Sequence, residues 1–170
     1  KIESTVKPKG YVWFEDTNNR GYDVNIVGIR NSSVGDKVTN VFDDLLTLSY
    51  KDETGAWKYH EWPATTDPGK KGVMEYHNAA GVARLVEGQY RGSHGIGLHQ
   101  GKYEALKQAK NVKVYRDANR DLSYDENKIA EGVFGINIHK AGADSTYVEN
   151  WSEGCQVFKK SADFEEFMKI

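Results

Sequence analysis

A mainly β, single-domain fold with short helices is predicted, on three observations. The chain of 170 residues carries 10 Tyr, 6 Phe and 4 Trp, and aromatic side chains favour strands. Its 17 Gly lie scattered between short apolar runs, where glycine supplies tight turns. Those runs are too short for helices, and several alternate with period two. The length suits one domain, and no internal repeat, low-complexity tract or Pro- or Ser-rich linker divides it.

In chain order, Tyr11–Phe14 and Val24–Ile29 read as strands. In Val41–Tyr50 the second half, Leu46–Tyr50, alternates. It pairs as a hairpin with Trp57–Trp62 across the turn Lys51–Gly55. Thr65-Thr66-Asp67-Pro68-Gly69 is a turn, with Pro fixing φ and Gly open to positive φ. Val82–Val86 reads as a strand, Gly92–His99 as a glycine-shaped loop and Lys102–Gln108 as a short helix. Val112–Tyr115 is a strand, Asp117–Glu126 an acidic loop and Val133–His139 a strand. The end is helical: Ser161 can cap, Asp163 sits in the first turn, and Phe164, Phe167 and Met168 share a face.

Lys plus Arg number 23 and Asp plus Glu 25, a net charge of −2. No basic field is available for gripping nucleic-acid phosphates. No apolar run approaches the roughly 20 residues of a membrane span. The single cysteine, Cys155, excludes an internal disulfide framework and a multi-cysteine zinc site. The chain opens at Lys1 and not at Met, as expected of a trimmed, processed or excised form, so compartment is not read from its N-terminus. A monomer is expected.

Two residues suggest chemistry. On a strand Val133–His139, Asn137 and His139 would share one side and Phe134, Ile136 and Ile138 the other. If the apolar set faces a core, Asn137 and His139 face a cleft. Sixteen positions after His139 comes Cys155, preceded by Ser152-Glu153-Gly154 and followed by an apolar run. A thiol beside an imidazole can pass over its proton and attack as thiolate, while Gly154 admits close backbone approach. Amides at Gly154 and Cys155, or their neighbours, could hold an oxyanion. Against this, a lone cysteine is usually a small buried hydrophobe, and a lone histidine is usually structural.

Ile138-His139, the gap, then Ser152-Glu153-Gly154-Cys155 resembles the signature of the L,D-transpeptidase catalytic domain, and Ala64–Gly69 resembles that family's turn after a strand. Gly88–Gly92, Gly97-Leu98-His99 and Trp151-Ser152-Glu153-Gly154-Cys155-Gln156-Val157 are similar to divergent forms in phages and in gut bacteria of the Bacteroides kind. The resemblance implies a β-sandwich or mixed sheet, peptidoglycan or muropeptides as partner, and an extracytoplasmic or virion-associated setting. It also implies Cys155 as nucleophile, His139 as base, and Gly154 and Ser152 as loop-shaping residues. Two departures stand out: Glu153 replaces the motif histidine, and the arginine expected after the cysteine is missing. Transfer to an amine and hydrolysis of a related bond therefore both stay open.

Other clusters carry weaker expectations. Arg91, His94 and His99 flank a glycine-rich segment that could bind a carboxylate, with Arg91 standing in for the missing arginine. Asp117, Asn119, Asp121 and Asp125 follow the oxygen-ligand spacing of a calcium loop. However, Leu122 and Lys128 occupy positions where such loops need Gly and Glu, so no cofactor is expected. Glu153 with Asp144 or Glu149 could instead form the carboxylate pair of a muramidase-type, glycan-cleaving lysin. Trp13, Trp57, Trp62 and Trp151 could build a sugar-stacking surface or lie half-buried in strands. A non-catalytic cell-wall-binding or virion module is a further alternative.

Overall fold

The computed structural model describes residues 1–35, 37–124 and 128–170. Among these residues ten strands and three short α-helices, besides 3-10 turns at Lys7–Lys9 and Ser32–Val34, follow in the order α1 (Ile2–Val6), β1 (Asn25–Ile29), β2 (Asp44–Lys51), β3 (Trp57–Thr65), α2 (Lys70–Glu75), β4 (Val82–Leu85), β5 (His94–His99), β6 (Tyr103–Gln108), β7 (Val112–Asp117), β8 (Ile129–Gly132), β9 (Ile138–Lys140), β10 (Gln156–Phe158) and α3 (Ser161–Lys169). A curled mixed sheet runs β1-β2-β3-β10-β9-β6-β5, and a second, antiparallel sheet runs β4-β7-β8. The fold is mainly β with few short helices in a single compact domain.

The β2–β3 hairpin pairs in register from Asp44↔Ala64 to Lys51↔Trp57, and β1 joins its outer side. In α3, Phe164 and Phe167 pack on Leu46, Leu48, Trp62, Ile138 and Phe158. Burying each phenylalanine contributes roughly 1.5–3 kcal/mol. Ser161 is the first helical residue and not the cap; Lys160 holds the cap position without a side-chain bond.

Four expected elements come out differently. Tyr11–Phe14 forms no strand, because amide side chains satisfy its backbone. Val12 exchanges two bonds with Gln89 at 2.9 and 2.7 Å, and Phe14 exchanges two with Asn25 at 2.8 and 2.9 Å. The expected loop Gly92–His99 and helix Lys102–Gln108 are instead the hairpin β5–β6, paired from His94↔Gln108 to His99↔Tyr103. Gln100 and Gly101 both take positive φ, 49° and 70°, and Lys102 N–H closes the turn on His99 O at 2.9 Å. Sheet pairing here overrides the helix preference of Glu, Ala, Leu and Lys.

The strand expected at Val133–His139 begins only at Ile138. Gly135 at φ +71° breaks the extended path. The Gln108 side chain supplies the missing ladder, its Oε1 accepting from Phe134 N–H at 3.1 Å and Ile136 N–H at 2.9 Å. Phe134 and Ile136 therefore join Ala83, Val112 and Val114, in a cluster separate from that of Ile138.

Candidate active site

The loop that carries Cys155 is held from two sides. Gly69 N–H, at the end of the Thr65–Gly69 turn, donates to Ser152 O at 2.9 Å, and Ala83 N–H on β4 reaches Glu153 O at 3.4 Å. Arg84, only 1 % exposed, fixes β4 to that turn through Asp67 at 2.7 Å. Within the loop, the fully buried Ser152 hydroxyl donates to Cys155 O at 2.7 Å and accepts from Gly154 N–H at 3.2 Å. Gly154 sits at φ +139°, and a Cβ there would come within 2.8 Å of Ala83 O. Ser152 and Gly154 thus shape the loop. The Gly154 amide is committed to Ser152, so it is no oxyanion donor in this geometry. The Cys155 amide is engaged by no described residue.

Cys155 faces a cleft of about 480 Å³, whose lining includes His99, Lys107, Arg116, Gly135, Asn137 and Glu153. Its thiol donates to Gly135 O at 3.3 Å, and its sulfur accepts from Asn137 N–H at 3.4 Å. Parallel pairing of β9 with β10 sets Val157 opposite His139. Gln156 N–H on Asn137 O at 2.9 Å continues that register backwards. Alternation then puts Cys155 on the face that carries His139, one diagonal step away, roughly 7–8 Å between Cα atoms. The two side chains make no hydrogen bond in this resting arrangement.

Of the two residues expected on the cleft, Asn137 lines it, whereas His139 is 4 % exposed and is not among its described lining; its Nδ1 lies 2.9 Å from Lys140 O. A carbonyl only accepts, so the proton sits on Nδ1 and the Nε2 lone pair is the basic one. Burial pushes the His139 imidazole down to about 4; the bond to Lys140 opposes that, and nearby His99 adds to it. Burial likewise pushes the Cys155 thiol up to about 11, against the Asn137 amide and with help from the Glu153 charge. Near neutral pH the pair rests as thiol and neutral imidazole.

His99 stacks on His139 with ring centroids 4.1 Å apart, and its Nδ1 lies 3.2 Å from Asn137 Nδ2. Asn137 is thus buried between the sulfur and the second imidazole. Glu153 is exposed on the cleft wall and is its one carboxylate among the described residues.

Arg91 is not part of this site: it is exposed, with its guanidinium 5.5 Å above the Phe14 ring. Among the described residues the cations that line the cleft are Lys107 and Arg116, the latter stacked 4.8 Å over Phe134 and bonded to Gly81 O at 2.9 Å. Nothing in their local sequence marks them; long-range pairing of β6 and β7 brings them in. His94 is tied to Ile136 O at 2.6 Å, in the cleft wall.

In the acidic loop, the fully buried Asp117 carboxylate accepts from Asp121 N–H at 3.2 Å and Leu122 N–H at 3.0 Å, a loop-closing role. Asn119 bonds Asp121 at 3.0 Å, and Asp125 lies outside the described residues. Asp144 pairs with Lys159, and Glu149 accepts from Asn40 at 2.9 Å, so neither joins Glu153 in the cleft. The tryptophans form no common surface. Trp13 and Trp57 pair at 6.0 Å, Trp62 lies in the α3 core, and Trp151 is exposed elsewhere. No helix among the described residues is long and apolar enough to cross a membrane. No family model, curated protein or solved structure matches the chain.

Proposed function

We propose that the protein is a peptidoglycan-acting cysteine enzyme of L,D-transpeptidase-like chemistry, working through a Cys155 thioester. The observation that carries this reading is a thiol lining a cleft with its own amide unengaged, on the same sheet face as an imidazole whose free lone pair is on Nε2. Peptidoglycan as substrate rests on the sequence resemblance.

In this reading the thiol turns from Gly135 O towards His139, since contacts of this kind often tighten only once substrate is bound. Sulfur attacks the acyl carbon, its proton passes to His139 Nε2, and the carbonyl electron pair moves to oxygen beside the Cys155 amide. Collapse expels the amine, which takes the proton from His139 and leaves the thioester. Water or a second amine then releases the acyl group. Because both partners rest neutral, proton transfer accompanies attack and no thiolate is stored beforehand. A muramidase-type mechanism is less well supported, because it needs two carboxylates flanking one bond and the described lining offers Glu153 alone.

Mass spectrometry of purified muropeptides incubated with the protein tests this. Expected are new amine termini or exchanged peptides, a +acyl adduct on the intact chain, and loss of both by at least roughly 10⁴-fold in Cys155→Ala. New reducing sugar ends, with Cys155→Ala active and Glu153→Gln dead, would instead identify the glycosidase. No change in the muropeptides would favour the binding module.

A further inference from the structure

We propose that His99 is a catalytic residue of this site, a neutral imidazole whose Nε2–H donates a hydrogen bond to the acyl oxygen of the substrate beside the Cys155 amide. The inference rests on the cysteine-enzyme reading and adds a second donor to it.

The tautomer of His99 follows from a chain of three hydrogen bonds. Gln108 N–H, a donor only, lies 3.0 Å from Asn137 Oδ1. That fixes which end of the Asn137 amide is oxygen, so Nδ2 is the end facing His99 Nδ1 at 3.2 Å. An NH₂ group donates, so Nδ1 must accept, and the ring proton belongs on Nε2. No described residue takes that proton, and His99 lines the cleft. The same Asn137 gives its backbone N–H to Cys155 Sγ at 3.4 Å, so one residue ties donor and nucleophile together.

The neighbours keep His99 neutral. Burial lowers its affinity for a proton, and Lys107 and Lys102 act in the same direction. The other ionisable groups packed on it are His139, stacked at 4.1 Å, and Tyr103, at 5.5 Å between ring centroids. A second cation against His139 would oppose the imidazolium formed during attack. A neutral donor avoids that conflict. In the reaction His99 transfers nothing: its N–H bond shortens its contact with the oxygen as negative charge develops there, then relaxes when the carbonyl reforms.

Two measurements test the role. Nitrogen-15 shifts of the His99 ring in the whole protein should report Nε2–H at pH 7; an Nδ1–H ring overturns the proposal whatever the activity. On muropeptides, His99→Phe keeps a stacked ring without the donor and should lower kcat roughly 10²- to 10³-fold, the scale of one lost oxyanion donor. His99→Gln restores an N–H and should recover roughly tenfold or more of that loss. Alkylation of Cys155 by iodoacetamide should change less than about threefold in both variants, since His99 does not act through thiol ionisation. Full activity in His99→Phe, no recovery in His99→Gln, or a parallel collapse of alkylation each overturns the role. If wild-type protein turns over no muropeptide, the enzyme reading itself fails and this role falls with it. That outcome differs from an active wild type with an equally active His99→Phe.

Discussion

The α3 core and the cleft wall at residues 133–137 are both lined by apolar side chains, yet they are built by opposite means. In the core, spacing along the chain becomes contact: Phe164 and Phe167, one helical turn apart, meet Trp62 and Phe158 directly. In the wall, the backbone leaves regular structure at Gly135, and one buried side chain replaces the ladder. Gln108 accepts from Phe134 and Ile136 N–H and donates to Lys110 and Gly132 O at 2.8 and 2.9 Å. Apolar area holds the first region, and four hydrogen bonds from one side chain brace the second. The irregular segment opens Gly135, Asn137 and Cys155 to one cleft, an arrangement that the proposed thiol chemistry would use.

The largest expected effect breaks the first region. Phe164→Ala should cost about 3–5 kcal/mol in urea unfolding, through lost transfer energy and a residual cavity. A loss under about 1 kcal/mol would mean that α3 contributes little to the core.

Next, Gln108→Leu keeps the volume but strands two N–H and two C=O groups. Each such buried group costs about 1–3 kcal/mol unless water reaches it. With water from the cleft that Gln108 lines reaching at least one of the four, we expect a total of about 3 kcal/mol, with faster hydrogen exchange confined to Phe134 and Ile136. Uniformly faster exchange across the whole sheet would contradict a local brace.

A pH series sharpens the same contrast. His139 titrates at about 4 in the fold against an ordinary value of 6.5, so the unfolded chain binds more protons between those limits. Stability is therefore intact above pH 6.5 and is lost as pH falls towards 4, with a slope of at most about 1.4 kcal/mol per pH unit from this one group. Lowered His94 and His99 act in the same sense. His139→Gln should flatten the acid side of the curve while Phe164→Ala lowers it without changing slope. An unchanged slope in His139→Gln would place the acid sensitivity elsewhere.

The smallest effect concerns the charge beside the thiol. Glu153 raises the proton affinity of Cys155, so Glu153→Gln should speed iodoacetamide alkylation a few-fold at pH 8. In both proteins the rate should keep climbing with pH towards 11. Slower alkylation in the variant would reverse the assigned sign.

The resemblance to a thiol enzyme was legible because Cys155, Gly154 and His139 lie within one short stretch of chain. The cations were not, since Lys107 and Arg116 stand on separate strands whose pairing no local pattern announces. Local pattern also determined the β2–β3 hairpin, β1 and α3, where side-chain period and burial coincide. It failed at Tyr103–Gln108, where good helix formers pair as a strand, and at Tyr11–Phe14, where amide side chains take the place of a partner strand. By itself the sequence determined a mainly β chain with one thiol and a histidine sixteen positions before it. Only the tertiary structure decided that His99 and not Arg91 enters the cleft, that Gly154's amide is spent inside its loop, and that thiol and imidazole rest uncharged. The reason is physical: periodicity reports which side chains want burial, whereas tautomers, committed amides and proton affinities depend on which distant groups end up within 3–4 Å.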